Sequence, residues 1–213
     1  MLRVGTFVLD CDFRPPALLA MEAATVDLLT DGRLELGLGA GWLLSDYEAL
    51  GVPFDPPGAR ISRLEQTVAA VRERAPLVPL LIGAGGSRLL GVAARTADIV
   101  SITGLAVPRE GGLRVGRRFT DDGLADAVEV VRSAAGDRFG TLELNMLLQG
   151  VVGSPSELPE GVPADSPFVL AGDTAAIADA LVERRERFGV SYYVGFATRG
   201  GFDRLAPVIS RLR

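Results

Sequence analysis

The stretch that most constrains the fold of this chain is 79–98, PLLIGAGGSRLLGVAARTAD. Its pattern predicts a short buried strand over 79–82, a glycine turn at 83–86 and then a helix with an apolar face. We expect Ser87 to be the N-cap of that helix. A glycine turn at a helix start exposes backbone N–H groups that favour a phosphate, and Arg88 would add a charge-assisted bond. The alternative is that the glycines only make a tight turn.

Two absences restrict the chemistry that the chain can perform. There is no histidine, and all 22 basic residues are arginine. Ser-His-Asp triads, histidine-ligated zinc, Schiff-base lysines and the P-loop lysine are therefore excluded. The single cysteine, Cys11, excludes a thiolate zinc site, and we expect no metal site. Acid–base chemistry must come from Asp, Glu, Tyr, Cys11, a cofactor or water.

Charge and hydropathy patterning indicate where the protein works. The net charge of −5 argues against a nucleic-acid partner. No apolar run is long enough to cross a membrane, and the first residues show no signal-peptide pattern. One cysteine allows no internal disulfide. We therefore expect a cytoplasmic protein without a nucleic-acid or membrane partner.

Strands and helices are predicted to alternate along the whole chain. Such alternation indicates one α/β domain, 1–213, with a parallel sheet and right-handed crossovers. Both an open doubly wound sheet and a (β/α) barrel fit the pattern, and in either case the site lies at the carboxyl ends of the strands. The regions 104–118 and 153–167 read as loops. The predicted strands are 2–9, 33–38, 79–82, 99–103, 142–152 (with Gly150 as a bulge) and 190–196.

The residues at the predicted strand ends are the candidates for a site. Glycine at a strand end permits close approach of a flat or phosphorylated ligand, and tight helix–sheet packing is the alternative. These residues are Asp10, Cys11 and Asp12, then Gly39, Ala40, Gly41 and Trp42, then Gly83, Ala84, Gly85, Gly86, Ser87 and Arg88, then Thr103, Gly104 and Gln149, and finally Ala197, Thr198 and Arg199.

Individual side chains at these ends carry specific expectations. Asp10 and Asp12 should point to opposite faces if the strand continues, which makes them solvated acids rather than a carboxylate pair. The two carboxylates should raise the pKa of Cys11 by like-charge repulsion. Trp42 either stacks on a ring or wedges a helix against the sheet. Arg60 and Arg63 are expected on a solvated helix face.

Four blocks of sequence carry a family resemblance. The blocks LRVGTFVLDCDFRPPALLAMEAATVDLLTDGRLELGLGAGW, ALGVPFDPPGARISRLEQTV and PLLIGAGGSRLLGVAARTADIV occur in this order. They resemble the bacterial luciferase-like monooxygenase superfamily, most closely its branch of coenzyme F420-dependent oxidoreductases. The stretch 172–194 resembles the family's last helix and strand.

The resemblance implies a TIM-barrel-like (β/α) parallel barrel that binds coenzyme F420, or alternatively flavin mononucleotide (FMN), with the ring over the strand ends. The phosphate loop would be 83–88, and Leu9, Asp10, Gly39 and Ala40 would lie against the cofactor. Trp42 would contact the substrate. A non-proline cis peptide bond is expected near Leu9-Asp10. Alanine at both Gly85 and Gly86 should weaken cofactor binding while the fold persists.

The chain departs from the family pattern in one large respect. Its first strand resembles the third of eight, so the resemblance implies a shortened barrel of about six recognisable strands, without the first two β/α units. An open edge would then need covering, and we expect a homodimer or higher homo-oligomer. The catalytic histidine of several family members has no counterpart here.

Three functions are consistent with these observations. The first is hydride transfer between a deazaflavin and a small organic substrate, in which Asp10 or Tyr193 places the substrate and a proton. The second is a non-redox descendant that keeps a pocket for another reaction or ligand. The third is a structural subunit whose edge completes a partner.

Overall fold

A computed structural model describes residues 2–108, 111, 114–158, 161–196 and 201–212. The helices in these ranges are α1 Pro16–Leu29, α2 Leu44–Leu50, α3 Pro57–Arg74, α4 Ser87–Thr96, α5 Asp121–Ala135, α6 Thr174–Phe188 and α7 Gly201–Leu212. The strands are β1 Val4–Gly5, β2 Leu9–Asp10, β3 Leu34–Gly39, β4 Leu80–Ala84, β5 Ile99–Ile102, β6 Leu105–Ala106, β7 Arg114–Val115, β8 Glu143–Leu147, β9 Gly150–Val152, β10 Val169–Ala171 and β11 Val190–Val194.

The main sheet is parallel, with the strand order β1-β3-β4-β5-β8-β11. Both β1 and β2 pair with β3, because they are two pieces of the single strand predicted over 2–9. The sheet therefore has six chain positions, curled into a half-barrel. This arrangement confirms the predicted α/β class with a shortened parallel barrel.

The curl brings side chains from distant strands together on the concave face. Tyr192 on β11 donates a hydrogen bond from its hydroxyl to Glu35 Oε1 on β3, at 2.9 Å, although three strands lie between them. Side chains alternate across a strand, so Gly37 and Gly39 share the concave face with Glu35. Leu36 and Leu38 point the other way, into the buried layer under the helices.

The helices cover the convex face in neighbouring pairs. α1 packs against α3, α4 against α5 and α6 against α7. Their buried faces are apolar, as with Leu64, Val68 and Val71 of α3. In the part of the chain that the structure describes, no helix combines the length and apolar character needed to span a bilayer.

Three predicted elements differ from the structure. The strand predicted over 142–152 divides into β8 and β9, which belong to different sheets because β9 pairs with β10, so Gly150 begins a strand rather than forming a bulge. The region 104–118 is not only a loop, since β6 and β7 form an antiparallel hairpin there. β4 continues through Ala84, two residues beyond its predicted end.

The longer β4 also changes the start of the following helix. The chain has only Gly85 and Gly86 between β4 and α4, so Gly86 is the N-cap and Ser87 is already the first helical residue. The prediction that Ser87 caps α4 was therefore wrong. Elsewhere capping follows the sequence: Thr120 accepts from the N–H of Gly123, and Asp173 accepts from two N–H groups at the start of α6.

Candidate functional site

The carboxyl end of the sheet has an apolar floor made by Val8. A Cβ added to Gly39 would lie 2.7 Å from Val8 Cγ2, and one added to Gly83 would lie 3.5 Å from Val8 Cγ1. A side chain at position 39 would therefore have to displace Val8. Val8 itself is 36% exposed, so its other side faces open space.

The backbone at this floor contains the expected non-proline cis peptide bond, but at another position. The cis bond joins Phe7 and Val8, not Leu9 and Asp10. Leu9 and Asp10 already pair in regular parallel register with β3, so the irregular backbone lies before them.

The strand ends at Asp10, and this brings the two carboxylates of the DCD motif to one side. A 3-10 turn, Cys11–Phe13, follows directly, and the N–H of Asp12 donates to Asp10 Oδ1 at 2.9 Å. The prediction that Asp10 and Asp12 face opposite ways was wrong, because the extended backbone on which it depended stops at Asp10. Burial raises the pKa of the Asp10 carboxyl above its ordinary value.

Asp12 is a buried acid held in an ion pair with a partly exposed arginine. Its side chain is 1% exposed and accepts two hydrogen bonds from Arg63, from Nε at 2.7 Å and from Nη2 at 2.9 Å. The Tyr47 hydroxyl donates to Asp12 Oδ2 at 2.9 Å, and Arg63 also pairs with Asp55. Arg63 is 35% exposed, so it lies on a partly solvated face, where its guanidinium is held between two acids.

The prediction that Arg60 lies on a solvated helix face was wrong, because Arg60 is buried. It is 3% exposed, and its Nη1 donates to the carbonyls of Ala40 at 2.7 Å and Gly41 at 2.6 Å. Its guanidinium also lies over the Phe54 ring, 4.1 Å from the centroid. Arg60 therefore holds the carboxyl end of β3 in place. The helical spacing of α3 shows which residues share a face, but not that two arginines on it meet acceptors from distant loops.

Cys11 lies between the two acids and is 3% exposed. Burial, and to a smaller extent Asp12 and Asp10, raise the pKa of Cys11 to about 12. The predicted direction is confirmed, but burial is the larger cause. The potential ligand atoms of Asp10, Cys11 and Asp12 lie within 4.8 Å of one another, yet a guanidinium already neutralises Asp12.

The glycine turn after β4 has one packed and one open residue. A Cβ on Gly85 would collide with the carbonyl oxygen of Leu105 and lie 3.1 Å from Thr103 Oγ1. Nothing lies within 4 Å of the Cβ position on Gly86. Gly86 and Ser87 are exposed, so the start of α4 is open to solvent.

The hairpin β6–β7 extends over this end of the sheet. Leu105 approaches Gly85, and a Cβ on Gly111 would lie 2.8 Å from Leu44 Cβ. The hairpin therefore spans from the turn after β4 to the start of α2. Trp42, between β3 and α2, is 41% exposed, which leaves both predictions for its ring open.

The Tyr193 side chain points to the helix-covered face of the sheet, away from the concave face. Its hydroxyl donates to the carbonyls of Val190 at 3.0 Å and Leu181 at 3.3 Å, and Leu181 belongs to α6. Of the two predicted catalytic side chains, Asp10 is therefore the one at the carboxyl edge. Residues 197–199, also predicted at a strand end, lie outside the described residues.

Residues 1–73 match the sequence profile described as luciferase-like monooxygenase. This part of the chain is similar to that family. The luciferase-like segment contains Val8, the DCD motif, β3 and α3, so it supplies one side of the site, while the glycine turn lies beyond it.

Two relatives extend the comparison. A phthiodiolone/phenolphthiodiolone dimycocerosates ketoreductase of Mycobacterium sp. (strain JLS) is 32% identical over 161 residues, which cover 64% of this chain and 39% of the relative. An F420-dependent glucose-6-phosphate dehydrogenase of Amycolatopsis mediterranei is 36% identical over 73 residues, or 34% of this chain and 22% of the relative. The chain thus spans well under half of these curated relatives.

Solved structures of other proteins share the fold over nearly the whole chain. An F420-dependent secondary alcohol dehydrogenase, in complex with an F420-acetone adduct, superimposes with a TM-score of 0.72 at 16% identity, covering 99% of this chain and 79% of that one. A riboflavin lyase with modified FMN gives 0.67 at 13% identity, covering 96% and 69%. At such identities the likeness establishes the fold alone.

Proposed function

We propose that this protein binds coenzyme F420, or alternatively FMN, at the carboxyl end of the half-barrel. We propose that it functions as an oxidoreductase that acts on a small organic substrate. When bound, the cofactor would supply the hydride chemistry. The similarity of residues 1–73 to luciferase-like monooxygenases and the cofactors in the names of similar proteins support this proposal.

One observation carries the proposal: a partly exposed apolar floor and an open helix start lie at the same edge. Val8 would lie against the ring, above Gly39 and Gly83. Two residues beyond Gly83 the turn begins, and the exposed N–H groups at Gly86, Ser87 and Arg88 would bind the phosphate. The ring and phosphate subsites are thus joined by a single strand end.

Asp10 is the residue that we propose for proton handling. Its raised pKa means that it holds a proton to higher pH than an ordinary aspartate does. Arg60 would keep the neighbouring carbonyls of Ala40 and Gly41 in position. Leu9 lies at the same strand end but packs against the buried core.

Titration of the purified protein with F420 and, separately, FMN tests the proposal, with cofactor fluorescence as the signal. We expect saturable binding of one of them. Gly86→Glu should weaken binding about tenfold or more, because it adds a negative charge beside the phosphate, where two charges about 4 Å apart repel by roughly 1–4 kcal/mol. The space around Gly86 allows this side chain.

Gly140→Glu is the matched control, since nothing lies within 4 Å of its Cβ position either and it is remote from the turn. It should leave the affinity unchanged. Failure of the wild-type protein to bind either cofactor would contradict the proposal and favour the non-redox or structural alternatives.

We further propose that two copies pair through the outer face of α1. Its inner face is buried, but Leu18, Met21, Leu28 and Leu29 on the outer side are 45%, 54%, 78% and 76% exposed. Pairing about a two-fold axis would bury this stripe twice, towards the roughly 800 Å² per partner of a standard interface.

Sedimentation of a Leu18→Glu/Leu29→Glu variant tests the pairing. We expect a wild-type dimer and a variant whose dissociation constant is at least about 100-fold higher, since each buried leucine contributes roughly 1.5–3 kcal/mol. Leu77→Glu, at a loop residue that is 91% exposed, is the control. A wild-type monomer at tens of micromolar would refute the pairing.

A further inference from the structure

A cavity of about 570 Å³ lies at the amino end of the sheet, at the edge opposite the one proposed for the cofactor. A volume of this size accommodates a small organic molecule. The polar and charged side chains of its lining come from the starts of the strands or from residues close to them, and they include Arg3, Glu35, Asp98, Glu143 and Tyr192. The proposed cofactor binding does not involve this edge.

The described lining of the cavity carries more negative than positive charge. Asp98 is neutralised, because it pairs with Arg72 at 2.8 Å. Glu35 and Glu143 then stand against one lining guanidinium, that of Arg3. A cavity with this balance of charge favours a cationic ligand over an anionic one.

The charged groups gather around the Tyr192 hydroxyl. This hydroxyl donates to Glu35 Oε1 at 2.9 Å. Burial, then Glu35 and Glu143, raise the pKa of Tyr192 to about 12, while Arg3 acts in the opposite direction. The hydroxyl of Tyr192 is therefore a neutral donor at a position where a cation would be bound more strongly.

Two fully buried polar side chains lie behind Tyr192. Tyr192 is opposite Asn145 in the parallel register and Asn145 is opposite Ser101, so all three face the concave side. Tyr192 reaches across this side from β11 to β3, and the other two residues are on strands in between.

The polar atoms of these two side chains have no partners. Asn145 and Ser101 are both 0% exposed. Within the described part of the chain, neither the Ser101 hydroxyl nor the nitrogen or oxygen of the Asn145 amide makes a hydrogen bond. An unpaired buried polar group is unfavourable, so these atoms would gain from a polar ligand group that reaches them.

We propose that this cavity binds a small protonated amine that also carries a hydroxyl group. The ammonium replaces the Tyr192 hydroxyl at Glu35, because a hydrogen bond between two charged partners is the stronger one. Displacement of the Tyr192 side chain uncovers Asn145 and Ser101. The hydroxyl of the ligand, which can both donate and accept, then bonds to them.

A set of matched probes with the same ring separates the two parts of the site. The compound 4-aminocyclohexanol carries both groups, cyclohexylamine carries only the amine, and 1,4-cyclohexanediol carries only hydroxyls. Calorimetric titration of the purified protein near neutral pH measures each affinity. We expect 4-aminocyclohexanol to bind at least about tenfold more tightly than either of the others, since each of those lacks one set of hydrogen bonds.

Glu35→Gln tests the charge, because glutamine keeps an oxygen acceptor for the Tyr192 hydroxyl. Binding of both amines should weaken about 10- to 100-fold, the range for a charge-assisted hydrogen bond, and binding of the diol should not change. Glu73→Gln is the matched control, since it removes the same charge from an exposed position on α3. It should alter none of the affinities.

Asn145→Leu tests the inner end of the site. The fold should tolerate leucine, because the amide has no partner to lose in the described chain. Binding of 4-aminocyclohexanol should weaken about tenfold, whereas that of cyclohexylamine should stay within about twofold. Should this variant fail to fold, Ser101→Ala makes the same comparison. Tyr192→Phe removes the hydroxyl that competes for Glu35, so both amines should bind more tightly.

Several results would overturn the proposal. Absence of 4-aminocyclohexanol binding at about 10 mM would refute the site. Equal affinities of the three probes, or an unchanged amine affinity in Glu35→Gln, would reject the assigned chemistry. Weaker amine binding by Tyr192→Phe would contradict the displacement of its side chain. The titrations use no cofactor, so these outcomes are separate from success or failure of the cofactor proposal.

Discussion

Replacing Arg63 by methionine is expected to lower the free energy of unfolding by about 3–5 kcal/mol, the usual cost of removing one partner from a buried ion pair. Asp12 is 1% exposed, and without Arg63 its described side-chain donors would be the neutral Tyr47 hydroxyl and the Cys11 thiol. Urea denaturation, followed by circular dichroism, measures the loss.

The double variant Asp12→Asn/Arg63→Met identifies the cause. This variant removes the buried Asp12 charge that Arg63→Met leaves without a partner. The free energy of unfolding should therefore be roughly 1–2 kcal/mol higher than that of Arg63→Met alone. Arg14→Met breaks the exposed pair with Glu22 and should cost no more than about 1 kcal/mol. A loss below 1 kcal/mol for Arg63→Met would show that the pair does not stabilise this edge.

The second large effect is expected at Gly85. Gly85→Ala should destabilise the protein by about 3 kcal/mol, because its Cβ would collide with the Leu105 carbonyl, and a backbone atom cannot move aside as a side chain can. Thermal or urea unfolding gives the change, and faster proteolysis within the hairpin β6–β7 would locate it.

Gly86→Ala is the natural comparison for this substitution. Gly86 has extended dihedral angles, φ −101° and ψ 152°, and an empty surrounding, so alanine should be neutral or stabilise by about 0.5 kcal/mol. The expectation that both glycines can be changed without harm to the fold thus holds only for Gly86. Equal stabilities of the two variants would contradict the packing that the structure gives to Gly85.

The regular elements could be predicted because their causes are local. The strand predicted over 33–38 is β3, since its apolar residues and the preceding turn at Asp31-Gly32 mark its limits. The strand predicted over 142–152 could not be divided from the sequence. Its second half leaves the main sheet to pair with β10, which comes later in the chain. Leu148 and Gln149, the two residues between β8 and β9, are not strong strand breakers, so the sequence does not mark the division.

The site shows the same division between local and long-range causes. Gly39 and Gly85 could be identified as candidates from the sequence, because glycine at a strand end permits close approach. The sequence does not show which residue approaches each of them. The structure identifies Val8 at Gly39 and Leu105 at Gly85, and both come from other segments. The arginines of α3 were missed as structural residues, because their acceptors, Asp12 and the carbonyls of Ala40 and Gly41, lie on other loops.

By itself, the sequence determined the α/β class, the parallel order of strand and helix, and the similarity of the first third to luciferase-like monooxygenases. These features depend on periodicity and motifs within short windows of chain. Only the tertiary structure decided that Arg60 and Arg63 bind acceptors on other loops, and that the Arg118 guanidinium contacts the glycine turn. Each of these depends on contacts between segments tens of residues apart, and such contacts are set by how the sheet curls.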